Sequence, residues 1–320
     1  MGGPAKTSPE AAMTLSSIDD IVAPFQINGE PVRGRIARLG PASVSPILQR
    51  HDYPAELARI LGEATVLAAL VGDSLKFEGR VLVQAEGDGP VAMMVAEYRT
   101  DGGMRSYARY DAARWDHLEK VNKGGRPHMP QLFGPKGALG LILIHDDPSM
   151  QPYQGVVPLM KASLAECAED YFSQSEQVPT RIKLAVAELV VSGKAEGWRG
   201  GGLLLQRMAA DETRGDPEEA WRAADAPAST VADDELVDPG LLPQDLLFRL
   251  FHEQGVRLEP GQALVDSCTC NEDRLRGTLA SMPDTALREL VEPDGTLAIA
   301  CQFCNRTYSI PLEDVVEAPN

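Results

Sequence analysis

The chain has 320 residues, of which 43% are hydrophobic and only 5% aromatic, and its formal net charge is -17. That length allows one large or two smaller domains with a sizeable buried core. An acidic surface repels phosphate backbones and anionic lipid, so the composition argues against nucleic-acid and membrane partners. The sequence contains no run of about 18 apolar residues, so no membrane-spanning helix is expected.

The first residues predict a disordered leader over residues 1–16. The stretch is rich in Gly, Pro, Ser and Ala, and up to Ser17 it contains one Lys and no apolar run typical of a secretory signal. We therefore expect a cytoplasmic protein. In that reducing compartment, clustered cysteines are more often metal ligands or redox centres than permanent disulfides.

Residues 17–208 predict a large, β-rich N-terminal domain of the α+β class. Residues 33–39 alternate as a first strand, and Pro54 opens a helix with apolar residues along one face. Further strands are expected at residues 81–85, 91–98, 139–144, 153–159, 181–191 and 202–205. Strands in series with only a few helices favour an α+β domain over a regular βαβ alternation.

Two local features of this domain are interpreted as structural. Cys167 lies on the apolar face of a predicted helix, which is typical of a buried packing residue and not of a nucleophile. Gly200-Gly201-Gly202 precedes Leu203-Leu204-Leu205 and predicts a turn before a buried strand. No helix is expected after these glycines, so they do not form a phosphate-binding loop.

Residues 209–263, the acidic linker, are expected to be helical and metastable. Residues 211–245 hold eleven Asp or Glu against two Arg, with four Pro and six Ala. Short helices are predicted at 217–224 and 231–237, each ending at a proline and with little packing of its own, followed by a more apolar helix at 246–252. The apolar positions that could form an exposed surface are Leu241, Leu242, Leu246, Leu247 and Leu250.

Residues 264–320 form the C-terminal cysteine domain, which holds four of the five cysteines, in two close pairs. They are Cys268-Thr269-Cys270 and Cys301-Gln302-Phe303-Cys304, separated by 30 residues. Four soft thiolates with no nearby histidine predict one tetrahedral Zn²⁺ ion bound by all four. A domain this small cannot bury much apolar surface and commonly needs a metal or disulfides.

Whether such a zinc ion is purely structural or part of a switch is open from spacing alone. Each pair is close enough in sequence to form a disulfide if the metal left. Two loops of three and four residues would contribute about 3.5 kcal/mol in the chain-entropy model. A structural zinc ion contributes about 10–16 kcal/mol, so exchanging it for two local disulfides should unfold the region.

Several motifs in a consistent order carry a resemblance to a known family. Besides the cysteine layout, they are Glu169-Asp170-Tyr171-Phe172, Ser175-Glu176-Gln177, Pro179-Thr180, Gly201-Gly202-Leu203-Leu204-Leu205-Gln206, Leu250-Phe251-His252-Glu253 and Tyr153-Gln154-Gly155-Val156-Val157. With these motifs, the chain from about Ile18 to Val316 resembles the redox-regulated 33 kDa chaperonin (heat-shock protein 33) family.

This resemblance implies a redox-regulated, ATP-independent holdase, which is not an enzyme. In the reduced, inactive state Cys268, Cys270, Cys301 and Cys304 would bind one zinc ion. Oxidants would convert them to Cys268–Cys270 and Cys301–Cys304 disulfides with release of the metal. The linker would then unfold, and a homodimer would hold unfolded client proteins before passing them to ATP-driven foldases. The leader lies outside the family pattern, and the linker is unusually rich in Ala and Asp.

Two other function classes compete with the holdase. A constitutive zinc-ribbon adaptor for protein partners would use the metal only as a structural element. A thiol oxidoreductase would use the Cys301–Cys304 motif, but that motif lacks a βαβ setting and has a second cysteine pair nearby.

Overall fold

The computed structural model describes residues 19–191, 194–209 and 216–316. The predicted leader at 1–16 therefore lies outside the described residues. The strands are β1 Ile21–Ile27, β2 Val32–Leu39, β3 Gly79–Glu86, β4 Val91–Arg99, β5 Gly103–Tyr110, β6 Ala138–His145, β7 Tyr153–Pro158, β8 Thr180–Val191, β9 Lys194–Arg207, β10 Val256–Leu258, β11 Gln262–Ala263, β12 Val265–Asp266, β13 Thr296–Ala300 and β14 Thr307–Pro311. The α-helices are α1 Val44–Gln49, α2 Ala55–Gly72, α3 Ala112–Asn122, α4 Met129–Phe133, α5 Leu164–Tyr171, α6 Pro217–Ser229, α7 Asp233–Val237, α8 Pro243–Phe251, α9 Glu272–Ala280, α10 Asp284–Glu289 and α11 Leu312–Val316, and a π-helical turn, Phe172–Glu176, follows α5.

Two six-stranded sheets enclose one long helix. The first sheet has the order β10-β1-β2-β9-β8, with β11 also paired to β1, and the second has the order β12-β5-β4-β3-β6-β7. Helix α2 packs against strands of both sheets. It is buried on nearly every side, beyond the single apolar face expected from the sequence, because the half after Glu63 carries no charged residue. The prediction of a β-rich α+β domain is confirmed, and no helix in the described ranges is long and apolar enough to cross a membrane.

The glycine triplet lies inside β9, so the predicted turn is wrong at this position. A Cβ atom on Gly200 would stand 2.8 Å from Val66 of α2, and one on Gly202 would stand 2.6 Å from the same side chain. A Cβ atom on Gly201 would stand 1.9 Å from the carbonyl oxygen of Leu236 on the other face. The glycines therefore let a helix approach one face of the strand and the acidic linker approach the opposite face.

The acidic linker packs on the outer face of the first sheet, so the prediction that its helices have little packing is wrong. Its buried side chains are Ala220, Ala224, Ala228, Val231, Leu236, Leu246, Leu247 and Phe251. They cover apolar side chains of the sheet, including Phe25, which stacks on Phe251 with 5.9 Å between ring centroids. The three alanines recur every four residues, so α6 buries a narrow apolar stripe. The acidic composition of the helix gives no indication of this stripe.

Two boundaries also differ from prediction. Helix α6 continues past Pro227 to Ser229, because a proline in the last turn removes a single backbone hydrogen bond. The first strand is β1, not β2, and it contains Pro24, which made the segment unlike a strand.

Candidate metal centre

The two cysteine pairs are held by different elements. Cys268 and Cys270 follow β12, which pairs in parallel with β5 of the second sheet, and the amide of Ser267 donates to the Met104 carbonyl at 2.8 Å. Cys301 and Cys304 lie in the turn between β13 and β14, the hairpin of the C-terminal cysteine domain.

Backbone hydrogen bonds fix the hairpin turn. The Cys301 amide donates to the Arg306 carbonyl at 2.9 Å, and the Asn305 amide donates to the Cys301 carbonyl at 2.8 Å. Asn305 has a φ of 57°, a left-handed conformation that Asn tolerates better than most residues. The turn therefore points both thiols of the second pair toward the first.

The geometry of the four sulfurs fits a tetrahedral metal ion. The Sγ atoms of Cys268, Cys270, Cys301 and Cys304 all lie within 4.8 Å of one another. Cys268 and Cys301 are 3.8 Å apart at Sγ, and Cys270 and Cys304 are 3.3 Å apart. Sulfurs at tetrahedral angles about 2.3 Å from a zinc ion would lie about 3.8 Å apart. The sequence prediction that these four residues converge is confirmed, and their donor set suits zinc.

The thiols of this cluster have unequal proton affinities. Burial raises the pKa of Cys304 to about 12. Burial acts in the same direction on Cys270, but hydrogen bonds from Tyr308 and Cys304 outweigh it and lower the pKa of Cys270 to about 7. Four closely spaced thiols cannot all ionise without a compensating positive charge. A bound divalent cation would supply that charge and hold all four as thiolates.

The C-terminal cysteine domain has a small apolar core of its own. Its buried hydrophobic side chains are Leu279, Leu287, Leu297, Ile310 and Val315. At roughly 1.5–3 kcal/mol per fully buried side chain, these contribute far less than the ordering of some 50 residues costs. A metal ion bound by the four cysteines would add to the stability that this small core provides.

Three arginines of the large domain contact the cysteine region. Arg99 donates to the carbonyl of Ser267 at 3.0 Å, and Arg50 donates to the carbonyl of Phe303 at 2.9 Å and pairs with Asp266. Arg105 donates toward Cys268 Sγ at 3.8 Å. These contacts are not predictable from the sequence, because nothing in an isolated arginine indicates a partner more than 160 residues away in the chain.

The hairpin turn also has an aromatic contact with the second sheet. Phe303 lies edge-on to Tyr107, with 4.7 Å between ring centroids. Beside it, a cavity of about 270 Å³ is lined by Cys301, His51 and Tyr107 among others. Cys301 is half-buried at this cavity and therefore partly accessible to solvent.

The acidic linker is held to the first sheet by a buried arginine as well as by apolar packing. Arg38 is fully buried and donates to the carbonyl oxygens of Leu236 and, at 2.6 Å, Leu241. Burial lowers the pKa of Arg38 to about 10. Arg199 donates to the Val237 carbonyl at 3.0 Å. These bonds connect the linker backbone directly to strands β2 and β9.

Cys167 is separate from the cysteine cluster. It is fully buried in the core around α2, and burial raises the pKa of its thiol. The prediction that it is a packing residue is confirmed.

Comparison with known proteins gives a consistent result. Residues 20–311 match the family model described as Hsp33 protein. The chain is 46% identical over 294 residues to a 33 kDa chaperonin of Caulobacter vibrioides, covering 92% of this chain and 95% of the relative. It is 36% identical over 297 residues to a 33 kDa chaperonin of Pseudomonas aeruginosa, covering 92% of each.

A solved structure has the same fold. The crystal structure of the 33 kDa chaperonin from Thermotoga maritima superposes with a TM-score of 0.72 at 22% identity. The match covers 93% of this chain and 97% of that chain. At this identity, the similarity concerns the fold alone.

Proposed function

This chain belongs to the Hsp33 family of chaperones, and we propose that it is an ATP-independent holdase whose four-cysteine zinc site is a redox switch. The convergence of Cys268, Cys270, Cys301 and Cys304 on one point is the observation that carries the proposal. When bound there, zinc would act as a four-way cross-link between the two cysteine pairs.

The proposed switch uses the loss of that cross-link. Oxidation of the four thiolates removes the donor set, so the metal is released. In the folded domain each cysteine of one pair lies close to a cysteine of the other, at Sγ–Sγ distances of 3.8 and 3.3 Å, but once the domain unfolds, proximity in the chain decides which thiols meet. We therefore assign Cys268–Cys270 and Cys301–Cys304 as the disulfides of the oxidised state, as the family resemblance implies.

Two local disulfides would not replace the metal. They close loops of three and four residues, which is worth about 3.5 kcal/mol, against about 10–16 kcal/mol for a structural zinc ion. The small apolar core of the C-terminal cysteine domain is present before oxidation as well, so it adds nothing new to offset the loss of the metal. The oxidised domain should therefore unfold.

Unfolding of the C-terminal cysteine domain would not by itself undock the acidic linker. Its helices bury a continuous apolar cluster on the first sheet, so loss of the neighbouring domain alone leaves substantial packing in place. Mild heat would then undock the linker and expose both the linker helices and the sheet beneath them. This surface would bind unfolded clients, in a cytoplasmic homodimer that acts by binding, without catalysis, and later transfers clients to ATP-driven foldases.

In this proposal the chain has three functional parts. Residues 17–208 form the chaperone domain, residues 209–263 the acidic linker and residues 264–320 the redox-switch domain. The core around α2 and the small core of the C-terminal cysteine domain support the first and third parts, and a further apolar cluster joins the linker helices to the outer face of the first sheet.

One experiment tests the proposal. Zinc content and suppression of thermal client aggregation are measured before and after peroxide treatment with mild heat. The holdase predicts about one zinc ion per reduced chain, its release on oxidation, and activity only afterwards. Equal activity in both states would indicate a constitutive adaptor or chaperone, and turnover of a disulfide substrate would indicate an oxidoreductase. Cys304→Ser should abolish normal switching, whereas Cys167→Ala, the matched control, should not.

A further inference from the structure

Arg105 lies between a buried carboxylate of the second sheet and the cysteine cluster. Its Nη2 atom donates to Glu97 at 2.8 Å, and Glu97 is only 2% exposed. Its Nη1 atom donates toward Cys268 Sγ at 3.8 Å. The guanidinium carbon also stands 4.2 Å from the centre of the Phe303 ring. One side chain therefore contacts both cysteine pairs, the first directly and the second through Phe303.

The charge of the site gives this contact a chemical role. Four thiolates around a divalent cation carry a net charge of about -2, in a chain whose formal net charge is already -17. A nearby guanidinium offsets part of that charge, and an N–H donated to a thiolate withdraws electron density from the sulfur. The ion pair with Glu97 fixes the position of the guanidinium, since Glu97 is held in strand β4.

We propose that Arg105 is a positioning residue that sets how readily the cysteine site is oxidised. Its bond to Cys268 and its stacking on Phe303 keep both pairs in the metal-binding arrangement and lower the reactivity of the bound thiolates. This inference rests on the proposed function, because it concerns the threshold of the same switch.

The step that Arg105 would slow is attack on a peroxide. A thiolate sulfur attacks one peroxide oxygen, an S–O bond forms, the O–O bond breaks and hydroxide leaves. A second thiolate then attacks the resulting sulfenic sulfur, and a second hydroxide leaves as the S–S bond forms. Each disulfide thus consumes two thiolates and one peroxide. The first attack requires a free electron pair on sulfur, which is what the N–H of Arg105 engages.

The test compares Arg105→Gln with Arg288→Gln in the full chain. Both remove one positive charge, but Arg288 is an exposed residue of α10. Loss of an outer partner of a metal ligand typically lowers metal affinity 10–100-fold, and the long N···S distance favours the lower end, about tenfold. We expect Arg105→Gln to lose zinc to a competing chelator at about tenfold lower chelator concentration, and to lose free thiols faster at fixed peroxide. Arg288→Gln should match the parent protein in both assays.

A variant pair separates this role from simple destabilisation. Arg105→Gln leaves Glu97 buried without its closest partner, so the double variant Glu97→Gln/Arg105→Gln restores neutrality within the sheet. The double variant should oxidise as fast as Arg105→Gln, and Arg105→Lys, which keeps the charge, should recover part of the parent zinc retention. Parent-like zinc retention and thiol oxidation in a folded double variant would overturn the inference, and so would an equal effect of Arg288→Gln. Both assays follow metal and thiols, so the result stands apart from whether oxidation activates a chaperone.

Discussion

Replacing Gly201 by Ala should release the acidic linker without any oxidation. The added Cβ atom would stand 1.9 Å from the Leu236 carbonyl oxygen, whereas real Cβ contacts are essentially never under 3.0 Å. The linker backbone must therefore move away by at least 1.1 Å, the difference between these two distances. That displacement also strains the hydrogen bond that Arg38 donates to Leu236.

The energetic cost can be set from the lost and strained contacts. Overpacking in a well-packed site costs about 1–3 kcal/mol, and a hydrogen bond from a charged group contributes about 1.5–3 kcal/mol. Because structural relaxation recovers part of both costs, we expect Gly201→Ala to weaken docking of the linker by about 3 kcal/mol. That cost shifts the docking equilibrium about a hundredfold toward the undocked linker.

Limited proteolysis of the reduced, zinc-loaded protein measures this shift. Gly201→Ala should be cleaved faster within residues 216–251 and should suppress client aggregation partially without peroxide. Gly200→Ala is the matched control, because its Cβ atom would press on Val66 of α2 and not on the linker. That control should lower the melting temperature without the same selective cleavage. Unchanged protease resistance of the linker in Gly201→Ala would refute the reasoning.

Three more substitutions probe separate parts of the molecule. Phe251→Ala removes the ring that stacks on Phe25 and should weaken the packing of the linker by about 3–5 kcal/mol. In aggregation assays, the peroxide-treated variant should therefore become active at a lower temperature than the parent protein. An unchanged activation temperature would argue against linker undocking. Cys167→Ala should cost about 1 kcal/mol in urea unfolding and should not change the number of thiols that peroxide oxidises. A change in that number would contradict the separation of Cys167 from the cysteine cluster. Burial raises the pKa of Glu63 from 4.5 to about 7 against the opposing effect of Arg59. The folded protein therefore holds the Glu63 proton more tightly than the unfolded chain does. The stability gained in this way is complete below about pH 4.5 and is lost as pH rises through 7. In the parent protein the urea concentration at half-unfolding should rise as pH falls from 8 to 5.5, and in Glu63→Gln this rise should be smaller. An equal rise in both proteins would show that Glu63 does not cause it.

Elements with a clear periodicity of apolar side chains within a short stretch of sequence are predicted correctly. The strands around Val83 and Val95 and the buried helix α2 follow from side-chain periodicity, and the structure has them at the expected places. Strand β1 is concealed because Pro24 lacks the amide hydrogen expected of a strand residue. The glycine triplet has the composition of a turn, but in the structure its lack of side chains allows α2 and the linker to pack closely on the two faces of β9.

The packing of the acidic linker depends on information that no window of sequence contains. Its alanines are small residues in an acidic stretch, and they become a buried stripe only because the first sheet offers an apolar face. In the same way, the cysteine spacing predicts the metal ligands, while the contact of Arg105 with Cys268 joins residues 163 apart. Sequence spacing thus indicates the ligands, and the tertiary fold alone indicates what surrounds them.

Hydrogen exchange of backbone amides tests the switch most directly. The reduced, zinc-loaded protein is compared with fully oxidised, metal-free protein after mild heating. The account predicts strong loss of protection over residues 264–316 and 216–251, while strands β3, β4 and β6 stay protected. Oxidised protein whose C-terminal cysteine domain and linker exchange as slowly as in the reduced state would contradict it.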